Sequence, residues 1–179
     1  MDRYDEIMVG LYRGIAPAWL PEARRALFMR ESRRRCCALG QALVATWTCT
    51  TYYARGVISE DFALDIFAGW PAHLAVAPNV TTALYLALDG LLVGRGPLWE
   101  LFQYESLVVE ALACDVAIPC VAGVFCFEHD VAALRTHMQL YESAAAPARF
   151  ARDFAVTARP TYIARTRVGE RWHLEEVQP

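Results

Sequence analysis

Lysine is absent from this chain: all 17 basic residues among its 179 are arginine. A GC-rich genome accounts for such a bias without any function, yet the physical consequence stands. Guanidinium forks bind carboxylates bidentately and stack on aromatic rings in ways that ammonium groups do not. An excess of positive charge is missing too. The net charge is −3 and the pI about 5.8, which gives no overall attraction to nucleic acid or to anionic membranes.

There is no long uncharged apolar run. The stretch from Leu107 to Phe127 is interrupted by Glu110, Asp115 and Pro119, so it does not read as a membrane span. The start, Met-Asp-Arg-Tyr-Asp-Glu, carries neither a basic n-region nor an apolar h-region. A cytoplasmic protein with reduced thiols is therefore expected. Cys36, Cys37, Cys49, Cys114, Cys120 and Cys126 then serve mainly as small core residues. Internal repeats and low-complexity linkers are also lacking.

Catalytic signatures are missing as well. The chain has no Gly-x-Ser-x-Gly, no His-Glu-x-x-His and no phosphate-cradling glycine loop. Gly94-Arg-Gly96 lacks the preceding strand and the third glycine of a dinucleotide site. The four histidines show no local three-histidine or facial-triad spacing. No catalytic residue is assigned, and a protein without its own active site is expected.

What is there is apolar: 56% hydrophobic against 21% charged residues, with a mean hydropathy of +0.22. Without a spanning segment, that surplus goes either into a large core or onto a face covered by a partner protein. The pattern begins with helices. A short one is expected over Asp5–Tyr12, closed by Gly14 and Pro17. A second starts near Pro21 and runs towards Arg35, and a third covers Cys36 to Tyr53. Ser59-Glu-Asp caps a short helix through Phe62, Leu64, Ile66 and Phe67. Val80–Val93 and Leu98–Ala113 follow, separated by the Gly94-Arg-Gly-Pro97 loop.

The tail changes period. Val124 to Glu128 alternates aromatics as a half-buried strand does, and His129 to Tyr141 reads as a helix capped by Asp130. Pro160 to Arg167 and Arg171 to Val177 form a hairpin joined by Val168-Gly169-Glu170. The expected fold is therefore α+β: a mainly helical lobe over 1–120 packed on a small strand–helix–hairpin lobe over 121–179.

Several clusters carry candidate chemistry. Arg24, Arg25, Arg30, Arg33, Arg34 and Arg35 can grip phosphates or an acidic peptide, or form a solvated helix face offset by Glu22 and Glu31. Cys120, Cys126 and His129, with His137 or His173 as a fourth ligand, fit no zinc spacing, so no metal is expected. The neighbours Cys36 and Cys37 point about 100° apart on a helix and do not pair with each other. Glu105 falls on the apolar stripe of Leu98, Leu101, Val108 and Leu112. A carboxylate buried there needs a partner, and an ion pair with Arg165 is expected, against the alternative of a Glu at the stripe's edge reaching water. On the hairpin, Arg165 and Arg167 face Trp172 and Leu174 from the return strand. An open sheet edge flanked by arginines and aromatics can add an extended peptide as a further strand, against the alternative of an edge shielded by the N-terminal lobe. Tyr162, Arg165, Arg167 and Trp172 are the candidate peptide contacts.

Three stretches resemble one family. They are Leu101-Phe-Gln-Tyr-Glu105 on a helix, Phe125-Cys-Phe-Glu-His-Asp-Val131, and Arg159-Pro-Thr-Tyr leading into the arginine-bearing strand through Arg165. Together they look like the partner proteins of multinuclear non-haem iron-dependent oxidases, which modify ribosomally made precursor peptides. The length and layout look most like the branch used in methanobactin biosynthesis, the copper-chelating peptide. The likeness spans residues 98–177 and includes no catalytic signature. It implies a non-catalytic subunit that binds the oxidase, holds the leader of a precursor peptide on the tail, and presents peptide cysteines to iron carried by the other chain. No cofactor is then expected on this chain. The alternative is a transcriptional regulator that reads nucleic acid with the arginine-rich helix, which the acidic pI disfavours. A helical protein-interaction module over residues 1–115 leaves the tail without a role.

Overall fold

Glycine ends the first helix. In the computed structural model, which describes residues 3–58, 66, 77, 79–112, 122–141 and 156–178, α1 runs over Arg3–Arg13. Gly14 follows at φ 69°, the left-handed conformation that closes a Schellman turn. The Ile15 N–H accordingly donates back to the Gly10 carbonyl at 3.0 Å. Helix α2, Glu22–Thr46, completes the cap: the Ser32 hydroxyl donates to the Leu11 carbonyl at 2.6 Å. The Cys36 thiol lies 3.6 Å from the Tyr12 carbonyl, and burial pushes its pKa up.

The expected boundary between helices at Arg35 and Cys36 is not there; α2 passes through without interruption. No proline stands in the way, and a single Gly40 costs a helix only about 1 kcal/mol. The chain turns instead at Trp47, with φ −123° and ψ 64°, and resumes as α3 over Thr48–Val57. Three of the six clustered arginines are spent locally. Arg25 donates to the carbonyls of Ala18 and Leu20, and Glu31 accepts from both Arg34 and Arg35 at 2.8–2.9 Å. Those guanidinium hydrogen bonds hold the Glu31 carboxyl down to about 2. A depressed folded-state pKa means the pairing persists above the ordinary carboxylate range and is lost only as pH falls through that value.

Asn79 caps α4 (Val80–Leu92): its side-chain oxygen accepts the Thr82 N–H at 2.8 Å. Gly94 and Gly96 both take positive φ, at 77° and 54°, and Pro97 occupies the first position of α5, Pro97–Leu112. The expected short helix through Phe62, Leu64 and Phe67 lies outside the described residues.

The tail forms β1 (Gly123–Phe127), α6 (Val131–Tyr141), β2 (Thr161–Val168) and β3 (Arg171–Val177). The strands make one antiparallel sheet in the order β1-β2-β3. The hairpin is tighter than the expected three-residue link. Val168 pairs with Arg171, which leaves Gly169-Glu170 as a two-residue turn, and Gly169 supplies the positive φ of 63° at its first position. The register places Phe125, Phe127, Ile163, Arg165, Arg167, Trp172 and Leu174 on one face, with Cys126, Tyr162 and His173 on the other. Leu107 of α5 packs against the first face with Phe127, Val131 and Ile163.

The α+β class is therefore observed: six helices among the described residues and a three-stranded sheet near the carboxyl end. The compact units are Met1–Ala45 with Asp61–Leu91, and Thr46–Glu60 with Leu92–Pro179. Helices α3 and α5 thus belong with the sheet, where the sequence suggested a division at 120. The physical reason is that α5 packs on α3, α6 and β3.

A Cβ at Gly10 would run into the Ile15 carbonyl oxygen and the Phe28 ring, whereas one at Gly40 meets open space. Gly10→Ala is expected to cost about 1–3 kcal/mol in urea unfolding, and Gly40→Ala to stabilise by about 0.4–1 kcal/mol.

Candidate functional site

Helix α5 is buried on more than one side. Leu98, Leu101, Phe102, Glu105, Ser106 and Leu107 are all buried, and so is Glu100. At about 100° per residue, Phe102 and Ser106 look one way, and Glu100 and Leu107 another. On the first side Trp47, fully buried, donates its indole N–H to the Ser106 hydroxyl at 2.9 Å. Its ring tilts onto Phe102 at a centroid distance of 5.9 Å. On the second side Tyr104 meets Phe127 edge-on at 6.0 Å, and burial pushes the Tyr104 phenol up.

Glu105 is 4% exposed, as its place on the apolar stripe suggested, but its partner is not Arg165. The carboxylate accepts the Cys49 N–H on Oε1 and the Thr50 N–H on Oε2, each at 2.9 Å. These are the second and third residues of α3, whose amides have no carbonyl within their own helix. Trp47, at the N-cap, offers no side-chain acceptor. A carboxylate from another helix fills that place and meets the positive end of the α3 dipole. Backbone amides thus do the work expected of a guanidinium, and the Glu105–Arg165 ion pair is corrected accordingly.

Glu100, one and a half turns earlier, repeats the device. Its Oε1 accepts the Glu128 N–H at 3.1 Å and its Oε2 the His129 N–H at 3.0 Å. His129 Nδ1 stands 3.2 Å from Oε2, which places a proton on that nitrogen facing the carboxylate. Next along the chain Asp130 caps α6 as expected: its Oδ1 accepts the Ala133 N–H at 3.0 Å. Arg159 bridges Asp130 and Glu176 at 3.3 and 3.7 Å.

Between the first turns of α5 and strand β1 lies a cleft of about 280 Å³, lined by Trp99, Glu100, Gln103, Leu107 and residues 125–128. Ligand-type atoms of Glu100, Glu128 and His129 come within 4.8 Å of one another at its end. Three donor groups of this kind can hold a divalent cation in principle. Here the Glu100 oxygens already take two amides and the imidazole N–H, so the donor set does not fit a metal well.

The other candidate residues are placed as follows. Arg165 is 1% exposed and lies 4.3 Å from the Trp172 ring centroid, a cation–π contact inside the unit. Arg167 pairs across from Trp172 on the same face and donates to the Gly169 carbonyl at 3.2 Å. Tyr162 points to the opposite face. Tyr162 and Arg165 lie where β2 is held between β1 and β3, Arg167 lies beyond the end of β1 and pairs only with β3, and Trp172 is on an edge strand. Cys126 and His173 face the same side but are separated by β2, about 10 Å across two strand spacings and a further four residues along the register. Cys120 lies outside the described residues.

No family model matches the chain, and no curated protein or solved structure matches it. Among the described residues, no helix is long and apolar enough to cross a membrane.

Sequence reasoning missed Glu100. The usable signal was its position beside Leu101 and Phe102 on a helix with too many apolar residues for one stripe. Glu100→Gln keeps the shape but turns an NH₂ towards one of the two amides, leaving a buried donor unmatched. A loss of about 1–3 kcal/mol in urea unfolding is expected, with Glu128→Gln, at an exposed side chain, close to neutral.

Proposed function

We propose that this chain is a non-catalytic, cytoplasmic subunit that binds a multinuclear iron-dependent oxidase and holds a ribosomally made precursor peptide for oxidation of its cysteines. The observation that carries the reading is the sheet. Among the described residues β1 and β3 each pair only with β2, so two strand edges remain for an extended peptide, whose main chain supplies the hydrogen bonds of recognition. The resemblance of residues 98–177 to the partner proteins of such oxidases adds the oxidase to the picture. Holding the peptide turns an encounter in solution into a positioned reaction at iron carried by the other subunit, and positioning alone is worth several kcal/mol of barrier. The burial of Arg165 moves the peptide contacts from β2 to the edge strands, with Trp172 retained.

The nucleic-acid reading loses support from the arginine cluster. Arg25, Arg34 and Arg35 are engaged with local carbonyls and Glu31, which leaves a narrower basic face than duplex binding needs.

Co-expression with an iron oxidase encoded beside this chain, followed by size-exclusion chromatography and metal analysis, tests the proposal. A stoichiometric complex in which iron follows the oxidase is the expected result. A chain that elutes apart from every such oxidase and binds duplex DNA with steep salt dependence contradicts it.

A further inference from the structure

We infer that the cleft between α5 and the outer edge of β1 seats a basic side chain, arginine above all, of an extended peptide that adds to the sheet at β1. The inference rests on the peptide-holding half of the proposed function and is independent of the oxidase.

Position comes first. The cleft is lined by α5 and by residues 125–128, and by no residue of β2 or β3, so it opens beside the strand edge that has no described neighbour. Side chains of a strand added there alternate between the two faces. Those on the face shared by Phe125 and Phe127 run towards Trp99, Glu100 and Gln103.

Size and chemistry then choose the occupant. About 280 Å³ is below the usual range for whole small-molecule ligands and suits one long side chain. The walls are apolar and aromatic: Trp99, Leu107, Phe125 and Phe127. The end is anionic. Glu100 is 7% exposed and its oxygens already accept two amides and the His129 imidazole N–H, so the carboxylate open to a ligand is that of Glu128, exposed and with no arginine partner among the described residues. A guanidinium has an apolar stem for the walls, a flat face for the rings and a fork for the Glu128 carboxylate. An acidic side chain meets repulsion there, and an aliphatic one leaves the Glu128 carboxylate without a counter-charge.

The test uses the full chain and three fluorescein-labelled octapeptides of alternating valine and threonine, with arginine, norleucine or glutamate at one central position. Fluorescence anisotropy is expected to rank arginine about tenfold or more above norleucine, the size of one good charge-assisted contact, with glutamate weakest. Glu128→Gln should bring arginine and norleucine to within about twofold of each other, as should high salt. Equal binding of all three peptides, binding of none, or selectivity that survives Glu128→Gln would overturn the inference. So would saturable zinc binding that depends on Glu128 without any arginine preference, which would mark a cation site instead. The three-peptide comparison on the unaltered chain decides the matter even if the variant fails to fold. Arginine selectivity without oxidase binding would support the inference while counting against the oxidase half of the proposed function.

Discussion

A buried carboxylate bonded to two backbone amides of another helix is the contact on which the carboxyl-terminal unit depends. Glu105 sits where an apolar side chain would ordinarily stand, and an ionised carboxylate there costs several kcal/mol unless it is fully hydrogen-bonded. The Cys49 and Thr50 N–H groups satisfy it, and it satisfies them. The arrangement explains why the long helical run stops at Trp47, since α3 can start there only with an acceptor for its open amides. It also anchors the Trp47 indole over Phe102 and Ser106. Glu100 applies the same chemistry at Glu128 and His129, so α5 holds α3 with one carboxylate and the β1–α6 connection with another.

A spine of this kind leaves the sheet free for other duties. The inward face of β1, β2 and β3 is settled by Leu107, Phe127, Ile163 and the stacked Arg165–Trp172 pair. The strand edges are not needed for that core. Fixing the end of β1 through Glu100 also fixes the geometry of the cleft beside it, which Glu100 lines.

Much of this was legible in the sequence, and the failures have physical causes. Gly14, Pro97 and Asp130 announce their helix ends through local chemistry that needs no tertiary context, and the switch between periods 3.6 and 2 announces the sheet. Glu105 was legible as buried from its spacing alone. Its partner was not, since backbone amides carry no letter in a sequence and any helix start can supply them. Arginine was a reasonable expectation because it is the partner a sequence can show. Arg165 instead found the Trp172 ring, diagonally across the hairpin. The break at Trp47 escaped notice for a related reason: it is imposed by a carboxylate 58 positions later in the chain, and tryptophan is no helix breaker by itself. Glu100 was hidden because a single-stripe reading assumes one buried face, and α5 has two.

Amide hydrogen exchange at Cys49 and Thr50, compared between the unaltered chain and Glu105→Gln, bears most directly on the claim that these carboxylates organise the unit. Losing one charge-assisted acceptor should speed exchange at these two amides by about tenfold or more, with the interior of α1 and α2 unaffected. Unchanged protection at both amides, in a variant that folds normally, would contradict the account.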